Sequence, residues 1–186
     1  MTSNPTMRAA VLVAPRRFDI RDIAVPAIGA DDVLIRVSRC GVCGTDLHIF
    51  NGHYSADRLP LVPGHEFVGH VAAMGTKFRG LKEGDPVIGD INIGCGRCFY
   101  CRRNEVLNCP DMRQLGIHTN GAFAEYISLP SRLVIPLPPN VPLEVAALTE
   151  PLACVVRAAK KIGLGMGESV LILGAGPIGN LHVQLA

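Results

Sequence analysis

Residues 168–186 read ESVLILGAGPIGNLHVQLA. An apolar run, Val170 to Leu173, passes into Gly174, Gly176 and Gly179, spaced as G-x-G-x-x-G, and then into a stretch of helical pattern. In a dinucleotide-binding unit such a stretch is a buried strand, a tight turn and a helix. The first glycine permits the turn, the second lets the backbone approach a pyrophosphate, and the third lets the helix pack on the strand. The pattern predicts the start of an α/β unit, with Gly174, Gly176, Pro177, Ile178 and Gly179 lying against the pyrophosphate at the helix N-terminus. One strand and two turns of helix cannot bury their own apolar faces. The residue that reads the ribose belongs about 20 residues further on, past Ala186. The expectation is therefore that these residues are the front part of a longer protein.

Working back from that motif, the composition changes at a proline-rich stretch, Ile135 to Pro142. Beyond it, LEVAALTE and PLACVVRAAKKIGL read as helix. Before it, MRAAVLVA, FDIRDIAV, DVLIRVSR, HEFVGHVAAM, DPVIG, GAFAEYISL and RLVIP read as short strands punctuated by Gly, Pro or Asp. Several alternate with period 2, which suits half-buried strands of a barrel or sandwich. The division predicted is residues 1–150 as a β-rich domain and 151–186 as a linking helix followed by the strand–turn–helix.

The chain has 186 residues, 48% hydrophobic and 18% charged, with a formal net charge of +2. Those are ordinary globular values, with no block of like charge, so nucleic acid is not the expected partner. Arg97, Arg102 and Arg103 make the densest basic spot, read here as a solvated loop face. No apolar run approaches the roughly 18 residues of a membrane span, and no export signal opens the chain, so a soluble, cytoplasmic protein is expected. Seven cysteines in such a setting point to metal ligands or buried thiols rather than disulfides.

Four of them cluster. GCGRCFYCRRNEVLNC, residues 94–109, spaces Cys95, Cys98, Cys101 and Cys109 as C-x2-C-x2-C-x7-C. Four thiolates close around one tetrahedral Zn2+ and leave no open position, so the site predicted is structural. An iron–sulfur cluster also uses four thiolates, but zinc is the more economical assignment without an accompanying redox motif.

A catalytic zinc keeps three protein ligands and an open position. Candidates lie in RCGVCGTDLH at residues 39–48, PGHEFVG at 63–69 and LTEPLAC at 148–154. In their order, CGTDLH, GHE with a glycine three residues later, the four-cysteine loop, EPL and GAGPIG resemble the zinc-dependent medium-chain dehydrogenases. The likeness runs along essentially the whole chain and is nearest the sorbitol or polyol dehydrogenase branch, with threonine and butanediol dehydrogenases as neighbours. It implies a mainly β, GroES-like catalytic domain, a partly open barrel, followed by the truncated start of a Rossmann NAD(P)-binding domain.

The resemblance assigns the catalytic zinc to Cys43 and His65, with Glu66 as third ligand and Glu150 as a substrate-side or alternate ligand. Sequence physics permits the pairing of His65 with Glu66 only if the backbone bends there, since neighbouring strand residues face opposite ways. Asp46 is a candidate to hold the His65 ring. Thr45 and His48, expected in a turn after Cys43, are the proton path that the resemblance implies. Cys40 is read as a spectator on the face of its strand opposite Val33, Ile35 and Val37, and Cys154 as a packing residue. His53, His70 and His118 are assigned no role.

The function implied is hydride transfer between a secondary alcohol, a polyol or sugar alcohol, and NAD(P)+, by a homo-oligomer, a tetramer or dimer. Oxidation of threonine or butanediol is the nearest alternative. A non-catalytic zinc-binding interaction module is the alternative of another class; it explains the four-cysteine loop but leaves the glycine motif and the GHE residues idle.

Overall fold

The structure, a computed structural model, describes residues 5–77 and 80–186. In chain order, β1 (Thr6–Ala14) and β2 (Arg17–Ala24) form an antiparallel hairpin turned at Pro15–Arg16. Then follow β3 (Asp32–Gly41), the helix α1 (Gly44–Phe50), β4 (Glu66–Met74), β5 (Pro86–Gly89) and the two-residue β6 (Asn92–Ile93). The single turn α2 (Phe99–Arg102) precedes β7 (Arg113–Gln114), β8 (Tyr126–Pro130) and β9 (Val134–Pro136). Three helices complete it: α3 (Leu143–Ala146), α4 (Thr149–Ile162) and α5 (Pro177–Leu185).

β8, β3, β4, β5 and β9 pair in that order as one antiparallel sheet that does not close into a barrel. Its strands are rich in Val and Ile, which suit a pleated, half-buried surface. Leu12, Val33, Ile35, Ile49 and Val87 have no exposed surface and centre the main core between sheet, hairpin and α1. Burying each such side chain contributes about 1.5–3 kcal/mol. No helix among the described residues is long and apolar enough to cross a membrane.

The strands fall where periodicity put them, with three departures. Residues 44–50 form a helix rather than a turn, so Thr45 and His48 lie at helical positions i and i+3, on one face. On β3 the register with β4 slips at Ser38, between Val37 and Arg39. This bulge reverses the alternation. Cys40 consequently packs against the core with Val37, not on the opposite face. Val170–Leu173 carries no ladder, because no other described strand lies beside it to pair.

Candidate functional site

β3 ends at Gly41, and Cys43 then serves as the residue preceding the first turn of α1, with φ −94° and ψ 158°. Asp46, buried at 5% exposure, accepts the Cys43 N–H through Oδ2 at 2.9 Å. A carboxylate on a first-turn N–H satisfies one of the unpaired donors of the helix start. Its other oxygen, Oδ1, accepts the Gly64 N–H at 3.2 Å and lies 3.5 Å from Nδ1 of His65. One buried carboxylate thus ties the loop bearing Cys43 to the turn bearing His65.

That turn bends at Gly64, whose φ of +92° is a region side chains avoid. A Cβ there would also meet the Phe123 ring and backbone. The segment 121–123 holds the turn by backbone: Val62, Pro63 and Gly64 carbonyls accept from Gly121, Phe123 and Ala122 at 2.7, 2.9 and 2.8 Å. Gly116 and Gly121 approach the Gly64 carbonyl so closely that neither has room for a side chain. The bend that two adjacent ligands require is therefore built by glycines. The sequence reading passed over Gly116 and Gly121; the signal for them was the spacing G-x4-G just before a strand.

Cys43, His65 and Glu66 each offer a ligand atom within 4.8 Å of the other two. His65 is 4% exposed, and its Nδ1 has no hydrogen-bond partner. Burial lowers the His65 pKa, but the Asp46 carboxylate and the Cys43 thiol outweigh it and hold the ring at about 9. The groups that attract a proton there would equally attract a cation. One sulfur, one nitrogen and one carboxylate oxygen, with room for a fourth partner, suit a zinc ion with an open position.

Glu150 sits in the first turn of α4, and the Cys154 thiol donates to its Oε1 at 3.9 Å. Burial pushes the Glu150 carboxyl above its ordinary value, His65 opposes this and Glu66 adds to it. Cys154 is exposed rather than packed, and burial together with the charges of Glu150 and Cys43 raises its thiol. Glu150, Cys154, Thr149 and Arg157 line a cavity of about 460 Å³ together with Phe67, Ile88, Ile91 and Leu107. Its lining mixes apolar side chains with a few polar ones, the character of a small-molecule site. Thr45 is half-buried, and His48 is exposed with its ring 6.3 Å from that of His53.

The four clustered cysteines converge as well: Cys95, Cys98, Cys101 and Cys109 lie within 4.8 Å of one another. Backbone donors are aimed at the sulfurs. Cys98 Sγ accepts from Cys101 N–H at 3.4 Å and Cys109 Sγ from Cys95 N–H at 3.5 Å. The N–H groups of Arg97 and Cys98 lower the Cys95 thiol, while burial raises that of Cys101. All seven cysteines are free thiols. Four sulfurs so placed fit a tetrahedral ion with no open position.

At the far end, Gly176 precedes the first turn of α5 and Pro177 occupies its first position. Gly174 has φ +118°, and Gly179 packs against the Gly174 carbonyl with no space for a Cβ. The tight turn and the close packing are thus those the glycine motif needs to present N–H groups to an anion.

The alcohol dehydrogenase GroES-like domain matches residues 29–139. D-arabinitol dehydrogenase 1 of Uromyces fabae is 41% identical over 179 residues, covering 96% of this chain and 51% of that protein. L-threonine 3-dehydrogenase of Chelativorans sp. is 42% identical over 184 residues, covering 97% and 53%. A zinc-binding dehydrogenase of Sinorhizobium meliloti, solved bound to NADP, superposes with TM-score 0.91 at 38% identity, over 98% of this chain and 53% of its own. The chain spans about half the length of the relatives it matches. Through its GroES-like domain, matched over more than half its length, the chain belongs to the zinc medium-chain dehydrogenase family of alcohol dehydrogenases.

Proposed function

We propose that the full-length protein is a zinc-dependent oxidoreductase that transfers a hydride between a secondary alcohol, a polyol or sugar alcohol, and NAD(P)+. The observation that carries this is the convergence of Cys43, His65 and Glu66, three different donor types with a position left over, beside Glu150 and its cavity. A second zinc belongs to Cys95, Cys98, Cys101 and Cys109 and secures the loop. Bound zinc supplies Lewis acidity toward an alcohol oxygen, and the nicotinamide supplies the hydride acceptor.

The remaining work falls to the chain. Asp46 holds the His65 ring and both ligand-bearing loops. The Thr45 hydroxyl accepts the alcohol proton as it releases its own toward His48, which lies one turn along α1, is exposed and passes a proton to solvent. Glu150, on the cavity wall, orients the substrate hydroxyl or the water beside it. Phe67 and Ile88 contribute apolar lining to the same cavity, which strengthens the polar contacts within. Gly174, Gly176, Pro177, Ile178 and Gly179 receive the cofactor pyrophosphate. In this reading residues 1–150 are the catalytic domain and 151–186 open the NAD(P)-binding one, in a cytoplasmic homo-oligomer, a dimer or tetramer.

Substrate oxidation followed through NADH or NADPH formation tests the reading. The full-length protein should oxidise polyols such as D-arabinitol, and Cys43→Ser should abolish turnover. Threonine is the second substrate to assay, since L-threonine dehydrogenases are 42% identical to this chain. No turnover of polyol, threonine or butanediol with either cofactor would leave the non-catalytic zinc module as the better account, and full turnover in Cys43→Ser would remove Cys43 from the catalytic site.

A further inference from the structure

Beside the four-cysteine loop lies a second, larger cavity of about 950 Å³, bounded by the short helical turn at Ala56–Arg58, the loop at 93–97 and the segment 111–119. Its volume is near the upper end of the range of about 300–1,000 Å³ usual for small-molecule sites. Arg58, Arg97, Arg113 and His118 line it, with Asp111 the one carboxylate. The whole chain carries a net charge of only +2, so the basic character of this one cavity is local rather than a reflection of overall composition.

The arginines are not occupied elsewhere. Arg58 pairs through Nε with the neighbouring Asp57 at 3.1 Å, which leaves its terminal nitrogens. Neither Arg97 nor Arg113 forms an ion pair with another described residue. Unneutralised guanidiniums around one hollow repel each other unless an anion joins them, and their planar forks match carboxylate and phosphate oxygens. His118 accepts the Gln114 N–H through Nδ1 at 3.1 Å, so its other ring nitrogen is the one that carries a hydrogen to offer.

We propose that this cavity binds the phosphate or carboxylate group of a small molecule, held by Arg97 and Arg113 with Arg58 and His118 completing the site. Two sources share that chemistry: an anionic group on the alcohol substrate itself, and a separate anionic effector. The loop 114–121 forms one wall and also backs Gly64, next to His65, so occupancy of the cavity bears on the loop that positions a candidate metal ligand.

Titration of the zinc-loaded full-length protein, saturated with NAD(P)+ so that the glycine turn is filled, with inorganic phosphate and pyrophosphate by calorimetry tests this without turnover and so apart from the hydride-transfer reading. Pyrophosphate should bind more tightly than phosphate, and Arg97→Gln with Arg113→Gln should weaken it at least ~10-fold, the scale of losing charge-assisted bonds. Asp111→Asn should tighten it, because it removes a repelling charge; this variant keeps the test meaningful if the double arginine variant folds poorly. Arg17→Gln with Arg21→Gln, on the exposed face of β2, should change nothing. In the assay with alcohol, competition by pyrophosphate assigns the cavity to the substrate, and an effect without competition assigns it to an effector. No binding, or binding unchanged by the Arg97 and Asp111 substitutions, means an adventitious ion only and overturns the proposal.

Discussion

Gly41 and Glu66 face each other across the β3–β4 pair, and the glutamate carboxylate occupies the space that a side chain at residue 41 would need. Even a methyl group there would collide with Oε2, so the glycine sets where this ligand oxygen lies. Gly41→Ala should therefore lower metal affinity at Cys43, His65 and Glu66 by about 10–100-fold, the usual cost of disturbing a group that orients a ligand. Competition with a zinc-binding dye measures it, and the metal at the four cysteines should be unaffected. An unchanged affinity would show that Glu66 is free to shift.

Asp46 joins both ligand-bearing loops, so Asp46→Asn acts on two properties together. The amide has one acceptor oxygen in place of two and no charge for the His65 ring. Chemical denaturation should show a loss of about 1–3 kcal/mol. Zinc affinity at the same site should fall as well. Loss of stability alone would limit Asp46 to helix capping.

The four-cysteine loop has little apolar packing of its own, with Phe99, Tyr100 and Leu107 exposed. Its order should depend on metal. Cys98→Ser, or a strong chelator, should expose residues 94–109 to protease and lower Tm; a loss of ~3 kcal/mol corresponds to roughly 6–12 °C for a domain of this size. Protection unchanged by chelation would rule out a structural ion there.

Cys40 gives a pH prediction. Burial, with the charge of Asp46 adding to it, pushes its thiol from 9.0 to about 12. The folded protein thus retains a proton that the unfolded chain loses above pH 9.0. Stability from this source is full below pH 9.0 and declines as pH rises toward about 12. Cys40→Val should flatten the fall of unfolding free energy over that window relative to the parent protein. Equal slopes would show that Cys40 titrates normally.

Much of this arrangement is legible in the residues themselves. The four-cysteine loop is, because its ligands lie within one short segment and chelation needs little tertiary structure. The β-rich part is, because Ile35 and Val37 alternate with the polar Arg36 and Ser38. The face of Cys40 is not, because a bulge at Ser38 depends on pairing with β4, which periodicity along β3 cannot register. The helix after Cys43 is short and lacks a Ser, Thr, Asp or Asn cap; its one local signal is an acidic residue at Asp46 in the first turn. Cys43 and His65 are 22 positions apart, and their meeting rests on the sheet, on Gly64 and on Asp46. Only the family resemblance joined them in advance. The cavity at Arg97 and Arg113 was unreadable for a similar reason: β6 and β7 bring the two loops together, and each strand is only two residues long.

Metal content measured by mass spectrometry on the zinc-loaded protein and on Cys43→Ser tests the central claim most directly. The account predicts two zinc ions per chain, one lost on Cys43→Ser while the other persists. A single zinc that survives the substitution would contradict it.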